Sequence, residues 1–227
     1  MNNTEIPYDV MKQRGLLKEK YYYFHIISRI TSIPLAIVAN KFNISPNLVT
    51  ISGMLLVIPA MFCHFINQYF AAIFIFHLFF VFDCLDGVLA RATQTTSSAG
   101  AYLDDLAHYI FHSGYFISFA FAKVMSGELM AAFSAIIFII SNLIFRAHHD
   151  LVFKVNQKAS SSSAAIQSVP SVHYEIILGT FNFPNVVIYL TIGVIIPIFL
   201  KYYLLYAAVS NTLYLIYVIK KQIGKGF

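Results

Sequence analysis

The chain has 227 residues, 59% of them hydrophobic and only 11% charged, with a mean hydropathy of +0.71; these values exclude a water-soluble globule and imply a membrane protein. At about 20 apolar residues per spanning helix, the apolar stretches use up most of the chain and leave no room for a separate soluble domain. The formal net charge of +5 needs no nucleic-acid partner, because the basic residues sit beside the apolar stretches.

Taken in chain order, the first twenty residues, MNNTEIPYDVMKQRGLLKEK, are too polar for a secretory signal peptide, so insertion is expected to rely on the internal helices. The apolar run 21–40 is interrupted by Arg29, Ser32 and Pro34, which predicts an interfacial amphipathic helix and not a span. Six spans are predicted at 46–66, 69–89, 99–124, 130–145, 186–200 and 202–219, separated by breaks carrying Asn, Gln, Lys, Ser or Gly. Segment 154–171, with its run Ser160–Ser163, predicts a polar surface loop between the fourth and fifth spans. The expected architecture is an all-α integral membrane protein: an N-terminal cytoplasmic or interfacial segment (1–45), a six-helix transmembrane domain (46–221) and a short cytoplasmic tail (222–227).

Lys and Arg between the spans set the orientation. Thirteen fall on one side (Lys12, Arg14, Lys18, Lys20, Arg29, Lys41, Arg91, Arg146, Lys154, Lys158, Lys220, Lys221 and Lys225) and two, Lys123 and Lys201, on the other. Both termini are therefore expected in the cytoplasm, the basic residues flanking helices at an anionic leaflet. A compact chain of this kind fits a prokaryotic plasma or inner membrane. Cys63 and Cys84 have no metal-ligand spacing and read as packing residues. His64 and His77 read as histidines hydrogen-bonded within the bundle.

Four of the ten acidic residues, Asp83, Asp86, Asp104 and Asp105, fall at the cytoplasmic ends of the second and third spans. A carboxylate at membrane depth costs about 2.5–3.5 kcal/mol on insertion scales, so the cluster needs compensation, and a bound cation supplies it. Asp83 and Asp86 lie three residues apart on one helix face, while Gly100, Asp104 and His108 recur every four on the next, with His112 continuing the series. Oxygen ligands of this kind suit Mg²⁺ or Mn²⁺ better than zinc. Solvated aspartates in an interfacial loop are the alternative.

Asp83-x-x-Asp86-Gly87-x-x-Ala90-Arg91, eight residues, then Gly100-x-x-x-Asp104-x-x-x-His108 resembles the signature of the CDP-alcohol phosphotransferases, integral membrane enzymes of phospholipid synthesis; seven fixed positions agree over 26 residues. Ser45-Pro46-Asn47-Leu48-Val49-Thr50 resembles the Pro-Asn-x-x-Thr segment that opens the family's first span, and Arg146-Ala147-His148 resembles the Arg-Ala-Arg run that ends its fourth. One position departs: the family's last signature residue is an aspartate, taken to bind metal and to deprotonate the acceptor, and here it is His108.

The resemblance implies transfer of a substituted phosphate from a CDP-linked donor to an alcohol with release of CMP, at a cytoplasm-facing site in a homodimer. Asp83, Asp86, Asp104 and His108 would hold Mg²⁺ or Mn²⁺ against the pyrophosphate. Asn47, Thr50, Asp83, Gly87, Ala90, Arg91 and Gly100 would bind the CDP moiety, and Arg146 and His148 the acceptor. His108, with an ordinary imidazole pKa of about 6.5, is the expected general base beside Asp104, and as a poor Mg²⁺ ligand it favours Mn²⁺ or a single metal. Asn47 and Thr50 have an alternative role as helix caps, and Arg91 as a headgroup anchor. Ser98, where lipid-accepting members carry Pro, points to a lipid donor such as CDP-diacylglycerol; transfer from a small CDP-alcohol to a lipid is the alternative. The scarcity of basic residues in 92–99 and 159–200 points to an uncharged or singly anchored acceptor. A cation transporter using the aspartates, and a non-enzymatic descendant disabled at His108, are the rival readings.

Overall fold

The computed structural model describes residues 6–15, 23–159 and 183–224, and among these the regular structure is all helix. The helices are α1 (Tyr8–Gly15), α2 (Tyr23–Lys41), α3 (Pro46–Leu55), α4 (Val57–Phe65), α5 (Tyr69–Ala92), α6 (Ser98–Met125), α7 (Leu129–Ala159), α8 (Phe183–Ile195) and α9 (Pro197–Gly224). Three stretches, Pro46–Phe65, Tyr69–Ala92 and Leu129–Ala147, are long and apolar enough to cross a membrane. The helices α6 and α9 have 28 residues each, enough in length for a hydrocarbon core of about 30 Å.

Several boundaries differ from the sequence-based expectation, each for a local reason. The first predicted span is two helices, broken at Leu56: Pro59 has no N–H to give the Leu55 carbonyl, and its ring crowds that carbonyl. The break predicted at Lys201 lies instead at Ile196, ahead of Pro197, so Lys201 is inside α9. Helix α7 runs on past Phe145 to Ala159 and takes up the first residues of the predicted polar loop; the remainder of 154–171 lies outside the described residues. Over the run 21–40, where an interfacial helix is expected, the chain forms α2, which continues through Pro34. Helix α1 was not anticipated: its polar sequence contains Met11, which is fully buried and anchors it.

Where the breaks were predicted from Asn, Gln and Gly, the chain reverses through left-handed residues. Asn43, Asn67, Gln94 and Gly127 have φ of 54°, 57°, 59° and 79°. Each closes its helix in the same way: the Ile44, Gln68, Thr95 and Glu128 N–H groups bond back to the Ala39, Cys63, Ala90 and Lys123 carbonyls. These are Schellman closures, which satisfy carbonyls that would otherwise be orphaned at the helix end.

The core forms in two parts that meet along α5, which packs against α1, α2, α3, α4 and α8. The larger part is aromatic, with Phe76, Phe79, Phe80, Phe111, Phe116 and Phe138 buried and Phe79 stacked on Phe111 at 4.0 Å between α5 and α6. The smaller part joins Met11, Ile33, Ala36, Val49, Leu85, Val88 and Leu89 from α1, α2, α3 and α5. Its many small residues let backbones approach closely, as membrane interfaces favour. Several polar side chains pair within the bundle: His64 Nδ1 with Ser118 Oγ at 2.8 Å, His77 Nε2 with Thr191 Oγ1 at 2.8 Å, and Asn211 Nδ2 with Ser141 Oγ at 2.9 Å. Neither cysteine is in a disulfide; Cys84 is buried and Cys63 partly so.

Helices α4 and α6 meet at Gly114, where a Cβ would fall 2.3 Å from Val57 Cγ2. Gly114→Ala is expected to destabilise the protein by about 1–3 kcal/mol through overpacking, read as a lower unfolding midpoint in detergent. Adding Val57→Ala should restore much of the loss; no recovery in the double variant would show that the contact does not set the α4–α6 spacing.

Candidate active site

Asp83, Asp86, Gly87, Ala90 and Arg91 fall at i, i+3, i+4, i+7 and i+8 and share one stripe of α5, while Gly100, Asp104 and His108 share one stripe of α6. Five residues, 93–97, connect the two helices. The Schellman closure at Gln94 turns the chain out of α5, and Ser97 starts α6 by accepting a hydrogen bond on Oγ from the Gly100 N–H at 3.0 Å. The short connection brings the two polar stripes together.

The first result is a mixed oxygen and nitrogen triplet. One ligand atom each from Asp83, Asp104 and His108 lies within 4.8 Å of the others, about the spread of ligands around one ion with bonds of roughly 2.0–2.2 Å. His108 Nε2 is 2.7 Å from Asp83 Oδ1 and 3.8 Å from Asp104 Oδ1. The side chains of Asp83 and His108 are each 14% exposed, and that of Asp104 is 46% exposed. The Phe79 ring meets His108 edge to face at 5.4 Å, and His112, buried, has its ring 5.2 Å from that of His108. His108 Nδ1 is buried and has no hydrogen-bond partner among the described residues. Two carboxylates and an imidazole nitrogen are a donor set that fits a divalent cation.

Asp86, expected in the same ligand set, stands apart from this triplet. Its Oδ2 accepts a hydrogen bond from Thr50 Oγ1 at 2.5 Å, which ties α5 to α3. The cap of α3 is Ser45, whose Oγ accepts from the Leu48 N–H at 3.2 Å. The capping alternative for Asn47 and Thr50 is thereby removed: Thr50 holds Asp86, and Asn47 faces Gly100, where a Cβ would lie 3.3 Å from Asn47 Oδ1.

The second result is a cleft of about 200 Å³ lined by Asn47, Thr50, Asp86, Gly87, Ala90, Arg91, Gly100 and Asp104. All but one of the residues assigned to the CDP moiety from sequence therefore line one cleft; Asp83 lies beside it, in the triplet. Asp104 belongs to both the triplet and the cleft. The cleft wall also includes Pro46 and Ser97, at the starts of α3 and α6, and the positive dipole ends of these helices favour an anion. At Gly87 a Cβ would come 2.9 Å from Arg91 Nη1, so the glycine leaves room for the guanidinium to lie back along α5 over the cleft.

The acceptor residues expected from sequence are arranged differently. Arg146 does not line the cleft. Its Nη2 pairs with Asp105 Oδ1 at 2.8 Å, and its guanidinium lies 5.4 Å from the Tyr109 ring centroid, joining α7 to α6. The His148 side chain lies outside the described residues. Sequence reasoning missed Thr95, Thr96, Ser97 and Ala101 in the cleft wall. The polar run Thr93–Ser98 with a serine three residues before Gly100 carried that signal as a helix start. The Asp105–Arg146 pair, 41 residues apart, had no comparable signature.

The chain is 33% identical over 85 residues to an uncharacterised protein of Aquifex aeolicus (strain VF5), a match covering 37% of this chain and 41% of that protein. The family profile described as CDP-alcohol phosphatidyltransferase matches residues 43–214, a range that begins just before α3, ends within α9 and encloses the whole triplet and cleft. The family is a group of divalent-metal-dependent transferases that move a phosphoalcohol from a CDP-alcohol, and this chain belongs to it.

Proposed function

We propose that this protein is a multi-pass membrane enzyme that transfers the substituted phosphate of CDP-diacylglycerol to a small polar alcohol, releasing CMP on the cytoplasmic face. The observation that carries the proposal is the sharing of Asp104 between the Asp83–Asp104–His108 triplet and the Asp86- and Arg91-lined cleft. That arrangement sets a cation-binding group beside an anion-binding pocket, as a pyrophosphate leaving group requires. Six spans, cytoplasmic termini and a homodimer complete the reading.

The cytidine nucleotide enters the cleft with its phosphates toward Arg91 and the first turns of α3 and α6, where N–H groups and the guanidinium supply donors. Asn47 and Gly100 border the nucleotide end. Thr50 fixes the Asp86 carboxylate, so its orientation is set before substrate arrives. Asp83, Asp104 and His108 would hold Mg²⁺ or Mn²⁺, which would supply neutralisation of the pyrophosphate and stabilisation of charge on departing CMP. The acceptor's hydroxyl oxygen forms a bond to the phosphorus bearing the lipid, and the bond from that phosphorus to the bridging oxygen breaks. The bridging oxygen leaves on CMP. The hydroxyl proton passes to Asp104, the triplet carboxylate most open to the cleft, while the two His108 nitrogens face Asp83 and the buried interior.

On the acceptor side, the positive charge of Arg146 is already met by Asp105 and a ring face. An uncharged polyol suits this better than a phosphorylated one, because a second anion would compete with Asp105 for the guanidinium.

CMP release by the purified protein, with CDP-diacylglycerol and CDP-choline offered separately and pooled alcohols and lipids as acceptors, tests the donor and the reaction. Release from CDP-diacylglycerol that stops with chelator and falls about 10²-fold or more in Asp86→Asn is expected; release from CDP-choline alone would reverse the donor, and release indifferent to chelator would overturn the metal role. Glycerol phosphate and inositol phosphate should inhibit the wild type poorly, and Asp105→Asn should strengthen that inhibition by freeing Arg146. Strong inhibition of the wild type by either would contradict the uncharged acceptor.

A further inference from the structure

We infer that His108 makes the cation site of this chain selective for a transition-metal divalent ion, Mn²⁺ or a later member of its series, over Mg²⁺, with Nε2 of His108 as a ligand. The inference rests on the transferase reading above and deepens it by naming the ion and the atom that chooses it.

Three observations converge on this atom. Nε2 is one corner of the ligand triangle, 2.7 Å from Asp83 Oδ1 and 3.8 Å from Asp104 Oδ1, so an ion held by both carboxylates is within reach of the imidazole. The ring is also held in place: Phe79 lies against it edge to face at 5.4 Å and is itself stacked on Phe111 at 4.0 Å. Turning the imidazole aside would disturb a close-packed aromatic contact. The ligand atoms that come together are those of Asp83, Asp104 and His108, two carboxylates and one nitrogen, while Asp86 Oδ2 accepts a hydrogen bond from Thr50 of α3.

The chemistry of the donors then discriminates. Mg²⁺ takes oxygen ligands in a near-ideal octahedron and gives up water reluctantly, so an imidazole in its first shell is a poor exchange. Imidazole nitrogen suits the first-row transition ions, whose affinity for mixed nitrogen and oxygen sites rises along the series from Mn²⁺. An aspartate in place of His108 would return the site to an all-oxygen set and remove the discrimination. His108 is thus the residue that selects the ion, a role separate from accepting the substrate's proton.

The test uses the full-length protein loaded with Mn²⁺ alone and needs no substrate. Pulsed paramagnetic resonance should detect ¹⁴N modulation from one imidazole in the wild type, absent in His108→Asp. In competition, Mg²⁺ should displace Mn²⁺ from the wild type at least about tenfold less readily than from His108→Asp. Mn²⁺ bound without nitrogen coupling would overturn the inference, as would an unchanged Mn²⁺-to-Mg²⁺ ratio in the variant. The nitrogen signal of the wild type keeps the test decisive even if the variant does not fold. Failure to bind Mn²⁺ while Mg²⁺-dependent CMP release persists would overturn this inference and leave the transferase reading standing; loss of both metal binding and CMP release would remove both.

Discussion

Carboxylates carried on helices of an apolar bundle are the constraint around which the rest of this molecule is arranged. Each would cost about 2.5–3.5 kcal/mol at membrane depth if left alone, and each of the four lies beside a polar or basic side chain. Asp86 takes the Thr50 hydroxyl, Asp83 the His108 imidazole and Asp105 the Arg146 guanidinium, while Asp104 stands beside His108 and half open to the cleft. The Thr50–Asp86 contact ties α3 to α5, the His108–Asp83 contact ties α6 to α5 and the Arg146–Asp105 contact ties α7 to α6, so satisfying the charges also fixes how these helices sit. Breaking one pair would leave a charge unmatched in a medium that solvates it poorly, which links the stability of this end of the bundle to the integrity of its site.

The aromatic core serves the same arrangement. Phe79 touches Phe111 on one side and His108 on the other, so the packing between α5 and α6 is continuous with the orientation of the imidazole. Close-packed interiors transmit displacement because they have no slack. On the opposite side of α5 the small residues Ala36, Ala39 and Ala92 bring α2 close, and Thr50 of α3 reaches Asp86 from that neighbourhood.

Much of this was legible in the sequence, and the reason is local periodicity. Residues at i, i+3, i+4, i+7 and i+8 must share a helix face, so the stripe Asp83–Arg91 and the stripe Gly100–His108 could be drawn before any coordinates. The five-residue connection then left them little choice but to meet. Prolines and left-handed residues explain the boundary errors: Pro59 and Pro197 shift breaks that apolar runs alone do not register, and Gln94 takes a backbone conformation that nothing about glutamine announces. What the sequence could not carry were the contacts between distant helices. Thr50 with Asp86 and Asp105 with Arg146 are set by how helices pack, and their partners lie 36 and 41 residues apart. Helix α1, whose one buried side chain among the described residues is Met11, shows the same limit, because one buried residue makes no periodic signal.

The central claim is that the triplet on α5 and α6 and the cleft entered by α3 are a single site, in which a cation and a pyrophosphate meet. The most direct measurement is electron–nuclear double resonance on the Mn²⁺-loaded protein, looking for ³¹P coupling when CDP-diacylglycerol or CMP is added. The account predicts that coupling appears at saturating nucleotide and is lost in Asp104→Ala, since Asp104 is the residue the triplet and the cleft share. Mn²⁺ and nucleotide bound together with no ³¹P coupling would contradict it.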